Sequence, residues 1–147
     1  MAQLKSLSIN GNNVADYIID EQQSSSNVYN FKFRKWASGT LEVWYTLSKS
    51  VNYTKAWSDE IKYDEVTIKT PKELNVPSFI TVDHIQQTLY GNTGGGLYSI
   101  CPATGFSIES DGSFKSINYV ISFTTTEQSN KNIGISNYII GTWKEAI

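Results

Sequence analysis

The stretch from Asn30 to Leu47, NFKFRKWASGTLEVWYTL, restricts the fold more than any other part of the chain. Two runs rich in aromatic and β-branched residues flank Ala37-Ser38-Gly39, which is the pattern of a β-hairpin. Face alternation decides the length of its turn. A two-residue turn would set Phe33 opposite Trp44 and Arg34 opposite Val43, mixing charged and apolar groups on both faces. A three-residue turn with Gly39 in the left-handed conformation instead sets Phe31 against Tyr45, Phe33 against Val43 and Lys35 against Leu41 on one face. On the other face Arg34 then meets Glu42 and Lys32 meets Trp44, an ion pair and a cation-over-indole contact beside Trp36. The three-residue register is the expectation.

The chain has 147 residues, enough for one domain that buries roughly two-thirds of its unfolded surface. Its formal charge of -2 is spread over interspersed acids and bases, which argues against nucleic acid or an anionic membrane as partner. Apolar runs such as Tyr138-Ile139-Ile140 are too short to span a bilayer, and Met1 to Lys5 lacks the apolar core of a signal peptide. The expectation is a chain made in the cytoplasm with no export signal and no membrane insertion. The lone Cys101 and lone His84 cannot fill a tetrahedral zinc site, so neither metal nor other cofactor is expected, and Cys101 is read as a buried small hydrophobe. Abundant aromatics, low charge and many Ser, Thr and Asn residues make this a β composition.

Taken in order, alternation over Leu4 to Ile9 ahead of Asn10-Gly11 predicts a first hairpin. Val14 to Asp20 reads as extended, with a short helix over Ala15 to Gln22, capped by Asn12 or Asn13, as the alternative. Gln22 to Asn27 reads as a polar loop. Beyond the organising hairpin, Val51 to Trp57 is a mixed segment. Ile61 to Thr70 changes apolar parity, which a bulge near Asp64-Glu65 would reconcile. Pro71 and Pro77 bracket a loop. Ser78 to Tyr90 is extended, with Ile80, Val82 and His84 on one parity and His84 at least partly buried. Its expected partner begins at Leu97, across a Gly91 to Gly96 tip. Phe106 to Glu109 and Phe114 to Thr125 flank the turn Ser110-Asp111-Gly112-Ser113, and in the second arm Ile117, Tyr119, Ile121 and Phe123 alternate with Ser116, Asn118, Ser122 and Thr124. That arm reads as a half-buried strand. Glu127 to Asn132 reads as a polar turn, and Ile135 to Lys144, apolar on both faces, as a central or interfacial strand. The cadence predicts an all-β antiparallel sandwich, jelly-roll or barrel-like, in a single domain over 1–147: a lead-in hairpin and polar link over 1–27, then the sandwich over 28–147.

No motif for catalysis stands in a suitable context. Gly94-Gly95-Gly96 precedes no Lys-Ser/Thr pair, no serine sits in a nucleophile elbow, and Asp59, Glu60, Asp64, Glu65, Asp83, Glu109 and Asp111 fit ordinary surface turns as well as a glycosidase pair. The aromatic residues point elsewhere. Trp57, Tyr63 and Tyr90, with Asn92 in the glycine-rich tip, have the chemistry of sugar stacking plus hydroxyl hydrogen bonds. Trp36, Trp44, Arg34, Glu42 and Trp143 form a mixed aromatic and charged set suited to a subunit or sheet interface.

FRKWASGTLEVW from Phe33 to Trp44 and NYIIGTWK from Asn137 to Lys144 resemble the C-terminal domain of tail-fibre and minor structural proteins of phages and prophages of Gram-positive bacteria. VADYIIDEQ, Val14 to Gln22, resembles the segment leading into the same hairpin there. These stretches bracket the domain and together make up under a third of it. The matching residues are Arg34, Lys35, Trp36, Ser38, Gly39, Glu42 and Trp44, with Gly141, Trp143 and Lys144 at the close. The resemblance implies a trimeric fibre tip in the virion tail or baseplate, contacting other tail proteins and attaching to a host cell-surface polysaccharide, without enzymatic residues. A virion connector or decoration protein with no ligand is the alternative, and a glycan hydrolase a further one.

Overall fold

A computed structural model describes residues 8–9, 12–13, 16–25, 30–92 and 98–143, with side chains at 16–23, 30–89, 99–101 and 105–143. Its strands are β1 (Ser8–Ile9), β2 (Asn12–Asn13), β3 (Ile18–Ser25), β4 (Asn30–Trp36), β5 (Thr40–Tyr53), β6 (Lys55–Ser58), β7 (Ile61–Lys69), β8 (Thr81–Asn92), β9 (Tyr98–Ile108), β10 (Phe114–Phe123) and β11 (Gln128–Thr142). A five-stranded sheet of order β3-β4-β5-β11-β8 packs on a four-stranded sheet of order β6-β7-β10-β9, and β1 pairs with β2 separately. All pairings are antiparallel, so the chain is an antiparallel β-sandwich.

The organising hairpin adopts the three-residue register, with Phe31 opposite Tyr45, Lys32 opposite Trp44, Phe33 opposite Val43, Arg34 opposite Glu42 and Lys35 opposite Leu41. Gly39 has φ 106°, the left-handed conformation this turn requires, and its N–H donates to the Trp36 carbonyl at 3.0 Å. Asp16 clasps the turn from outside, accepting the Ser38 N–H at 2.9 Å. Because side chains alternate across a strand, Phe31, Phe33, Leu41, Val43, Tyr45 and Leu47 all enter the core, where Ile133, Ile135 and Ile139 of β11 and Val66, Ile68, Phe114 and Val120 of the smaller sheet meet them. Each fully buried side chain of this size contributes about 1.5–3 kcal/mol. Burial also lifts the Tyr45 hydroxyl far above its usual pKa, since the core disfavours a phenolate.

β11 is central, between β5 and β8, as its two apolar faces require. Gly141 of β11 allows β8 to pass close by: a Cβ there would lie 2.0 Å from the Thr81 carbonyl oxygen.

Several expectations are overturned. The extended reading holds for residues 18–20 and the helical alternative does not, but Gln22 to Ser25, read as a polar loop, extend that strand as β3 along β4, so the larger sheet takes them in. Asn10-Gly11 lies outside the described residues, though β1 and β2 pair on either side of it. Val51 to Trp57 is not one segment: β5 runs through Tyr53 and the chain then steps to the other sheet as β6. No bulge breaks β7 against β10; Ile61 and Tyr63 simply face outward while Val66 and Ile68 face the core. β8 and β9 are not partners, because β8 pairs with β11 and β9 with β10. β11 starts at Gln128, so most of the supposed polar turn is strand. An irregularity opposite Ile140 and Gly141 shifts the register at Asp83, so His84 is exposed and not partly buried.

The largest correction concerns β10. Phe114, Ser116, Asn118, Val120 and Ser122 face the core, whereas Ile117, Tyr119, Ile121 and Phe123 face outward. Two of the inward polar groups, Ser116 and Asn118, are hydrogen-bonded, and one of the bonds spans the two sheets. Ser116 Oγ accepts from Gln87 Nε2 at 3.0 Å and from Asn118 Nδ2 at 2.8 Å, and Gln87 Nε2 also donates to Asn137 Oδ1 at 3.0 Å. A hydrogen-bonded chain of this kind lets amides occupy an apolar interior.

Candidate functional site

The outer face of the smaller sheet carries an aromatic cluster. β6 is a short edge strand exposed along its whole length, and an irregularity between Ala56 and Ser58 leaves Trp57 as the extra residue opposite β7. Bulges re-aim side chains in this way, and here the indole swings over the outer face of β7 and β10. Its ring centre lies 5.7 Å from Tyr63 and 5.7 Å from Tyr119, and those two rings are 5.2 Å apart. All three meet edge to face, at 71°, 83° and 75°, the favoured geometry for aromatic quadrupoles. Trp57 nevertheless keeps 56% of its surface open.

Trp57, Tyr63 and Tyr119, with Ala56, line a shallow depression of about 260 Å³, below the usual range for drug-sized ligands and of a size for one sugar ring. Polar groups border it. Lys55 Nζ lies 5.8 Å from the Tyr63 ring centre, and Glu65 is directly across from Tyr119 on the same face. Rigid rings flanked by a cation and a carboxylate offer stacking surface together with a hydrogen-bond donor and an acceptor.

The expected recognition set is therefore divided. Trp57 and Tyr63 come together, whereas Tyr90 and Asn92 sit on β8, the edge of the opposite sheet, facing Gly134 and Ile133 in register. Their side chains lie outside the described residues. Tyr119 was missed, and Glu65 had been read only as one of the carboxylates of ordinary surface turns. The signal for Tyr119 was the apolar parity of β10, which would have pointed to a surface had the inward amide network been foreseen.

The expected interface set lies largely on the outer face of the larger sheet. Trp44 stacks on Tyr138 with ring centres 5.0 Å apart, and Lys32 and Arg34 lie 5.9 and 5.6 Å from the Trp44 ring. Glu42 does not take Arg34 as its ion partner. Its carboxylate accepts from Trp36 Nε1 at 2.7 Å and from the Tyr138 hydroxyl at 2.9 Å, while the Arg34 guanidinium binds Glu21 of β3 and lowers that carboxyl's pKa. Burial and the nearby Glu42 charge both raise the Tyr138 pKa. Trp143 stands apart from this set: it packs against the core, its Nε1–H donates to the Trp36 carbonyl at 3.0 Å, and Lys35 covers its ring at 4.4 Å.

Several of the remaining carboxylates have structural partners. Asp64 accepts the Asn52 N–H at 2.9 Å and secures the step from β5 to β6. Glu109 and Asp111 share Lys69, with Lys115 and Lys72 beside them. Asp83 accepts from the Thr81 hydroxyl at 3.3 Å, and Cys101 is a free thiol only partly buried. Among the described residues, no three His, Cys, Asp or Glu side chains converge as a metal site. Compared with protein-family models, with curated proteins and with solved structures, the chain finds no match.

Proposed function

We propose that this chain is a recognition domain that binds a host cell-surface glycan, without catalysis, at the tip of a phage tail fibre or baseplate. The observation that carries the binding reading is the outward cluster of Trp57, Tyr63 and Tyr119. A soluble β-sandwich ordinarily turns such rings inward; here a bulge holds the largest of them out over two tyrosines. Sugar rings present apolar C–H faces and polar edges, and the depression offers both complements. The fibre setting rests on the likeness of the hairpin and terminal segments to phage fibre-tip domains, and with it come a homotrimer, neighbouring tail proteins and a place in the virion.

The test is saturable binding of the purified chain to isolated cell walls of candidate Gram-positive hosts. Trp57→Ala should weaken it roughly tenfold or more, the scale of a lost aromatic anchor, with the melting temperature nearly unchanged because the side chain is exposed. Unchanged wall binding by Trp57→Ala would remove the platform from the reading. Sugar release by the wild type, lost on substituting one carboxylate, would replace binding with hydrolysis.

A connector with no ligand is the second reading, favoured by Phe123, 52% exposed on the same outer face as Ile117 and Ile121. A contiguous apolar surface of this kind also suits a protein partner. Binding to other tail proteins with no affinity for walls would select it.

A further inference from the structure

Where β8 and β9 part, at the edges of different sheets, an inner cavity of about 560 Å³ opens, but the polar side chains at its floor, Ser116 and Asn118, are buried. The outer face of the smaller sheet differs, because its aromatic and polar groups stand open together. Directly opposed residues of antiparallel strands share a face, so the register sets out what surrounds the Trp57 platform. One row across the sheet holds Lys55, Tyr63, Ile121 and Ser99. The outward row on one side of it holds Glu65 and Tyr119, and the outward row on the other side holds Ile61 and Phe123.

The platform is therefore one end of a longer strip. Along β10 the outward residues Tyr119, Ile121 and Phe123 follow one another, with Tyr63 and Ile61 of β7 beside the last two. Phe123, 52% exposed, stands two outward positions beyond Tyr119, about 13 Å at the rise of an antiparallel strand. Polar side chains border the strip between these two rings: Lys55 lies on the β6 side of the middle row and the exposed Ser99 on the β9 side. Its size decides what fits. From Tyr119 to Phe123 and across β7 and β10 it covers on the order of 100–200 Å², far below the roughly 800 Å² that each side of a stable protein interface buries. A strip two strands wide, with hydrogen-bonding groups along its margins, has the shape of an extended chain of sugar rings and not of a folded partner.

We propose that this strip takes an internal stretch of a linear polysaccharide, about three linked rings long, and that Phe123 with Ile61 is its second stacking subsite. The proposal rests on the glycan reading of the Trp57 platform. One ring stacks on Trp57 and Tyr119 and another on Phe123, while the ring between them lies over Ile121 with its hydroxyls toward Lys55 and Ser99. A single terminal sugar would leave Phe123 uncovered.

Wall polysaccharide that the chain binds is cut by mild acid, separated by size and titrated into the full chain in a calorimeter. Affinity should rise about tenfold between two-ring and four-ring fragments, as the second subsite fills, and then level off. Phe123→Ala should remove that rise and leave the affinity of the shortest fragments unchanged. Phe123→Tyr keeps a ring and should retain the rise. Both variants should melt with the wild type, since the side chain is half exposed. Trp57→Ala should weaken fragments of every length. Equal affinity at all lengths, or a rise that survives Phe123→Ala, overturns the proposal while the Trp57 platform stands. Fragment binding that ignores Trp57→Ala, or no binding to wall polysaccharide at all, takes away the glycan reading and this inference with it.

Discussion

Two residues show how much single positions contribute. Gly141 belongs to a motif readable in the sequence, but its physical reason is visible only in the fold: the backbone of β8 at Thr81 occupies the space of a Cβ. Gly141→Ala must push two adjacent strands apart, and overpacking of this kind costs about 2 kcal/mol, which urea denaturation should report as a lower midpoint with an unchanged slope. Asp111 is the second. It accepts from the Ser113 hydroxyl and N–H, and with Lys69 and Lys72 nearby its carboxyl is held down to about 2 from an ordinary 3.8. A carboxyl lowered in the folded state favours folding when ionised, so its contribution is complete above roughly pH 4 and is lost as the pH falls toward about 2. Asp111→Asn should therefore flatten the decline of melting temperature in that window. An unchanged acid profile would mean that Glu21, also lowered, and other carboxyls carry it.

At the scale of elements, the sequence was most legible where one face is apolar and the other is not. The hairpin register followed from alternation alone, because a slip by one residue would have buried Arg34 or Lys32. β10 was misread for the converse reason. Its outward residues are more apolar than its inward ones, and Ser116, which Asn118 bonds, is tied inside by the amide of Gln87, itself bonded to Asn137, from strands distant in the chain. No local pattern contains that information. β8 and β9 were read as partners because they are consecutive, yet each lies at the edge of a different sheet. The parting that follows creates the cavity, so it was invisible to any reading by segment. The platform was half legible: Trp57 and Tyr63 stood out as aromatics near acids, while Tyr119 depended on knowing which face of β10 is outside.

For the whole molecule, the two sheets expose outer faces of different character, and the proposed assembly must use one of them. The smaller sheet shows Trp57, Tyr119 and Phe123 to solvent, whereas on the larger sheet Trp44, Tyr138, Lys32, Arg34, Glu42 and Trp36 satisfy one another within a single chain. A face whose side chains are already ordered loses little entropy when a second chain covers it, which favours the larger sheet as the subunit contact and leaves the platform free for a ligand. Cyclic symmetry would then close three copies around that face. Light scattering after gel filtration at micromolar concentration should give the mass of three chains, and a monomer would end this proposal. Trp44→Ala removes the ring that stacks on Tyr138 and carries both cations. The half-buried indole, its aromatic partner and the cation contacts together make a loss of about 2–3 kcal/mol, so this variant should melt earlier and dissociate at higher concentration than the wild type. Trp57→Ala should keep the trimer mass. Were Trp44→Ala to remain trimeric and lose wall binding while Trp57→Ala lost the trimer, the two faces would have exchanged roles, with the smaller sheet at the subunit contact and the stacked Trp44 and Tyr138 presented to the host.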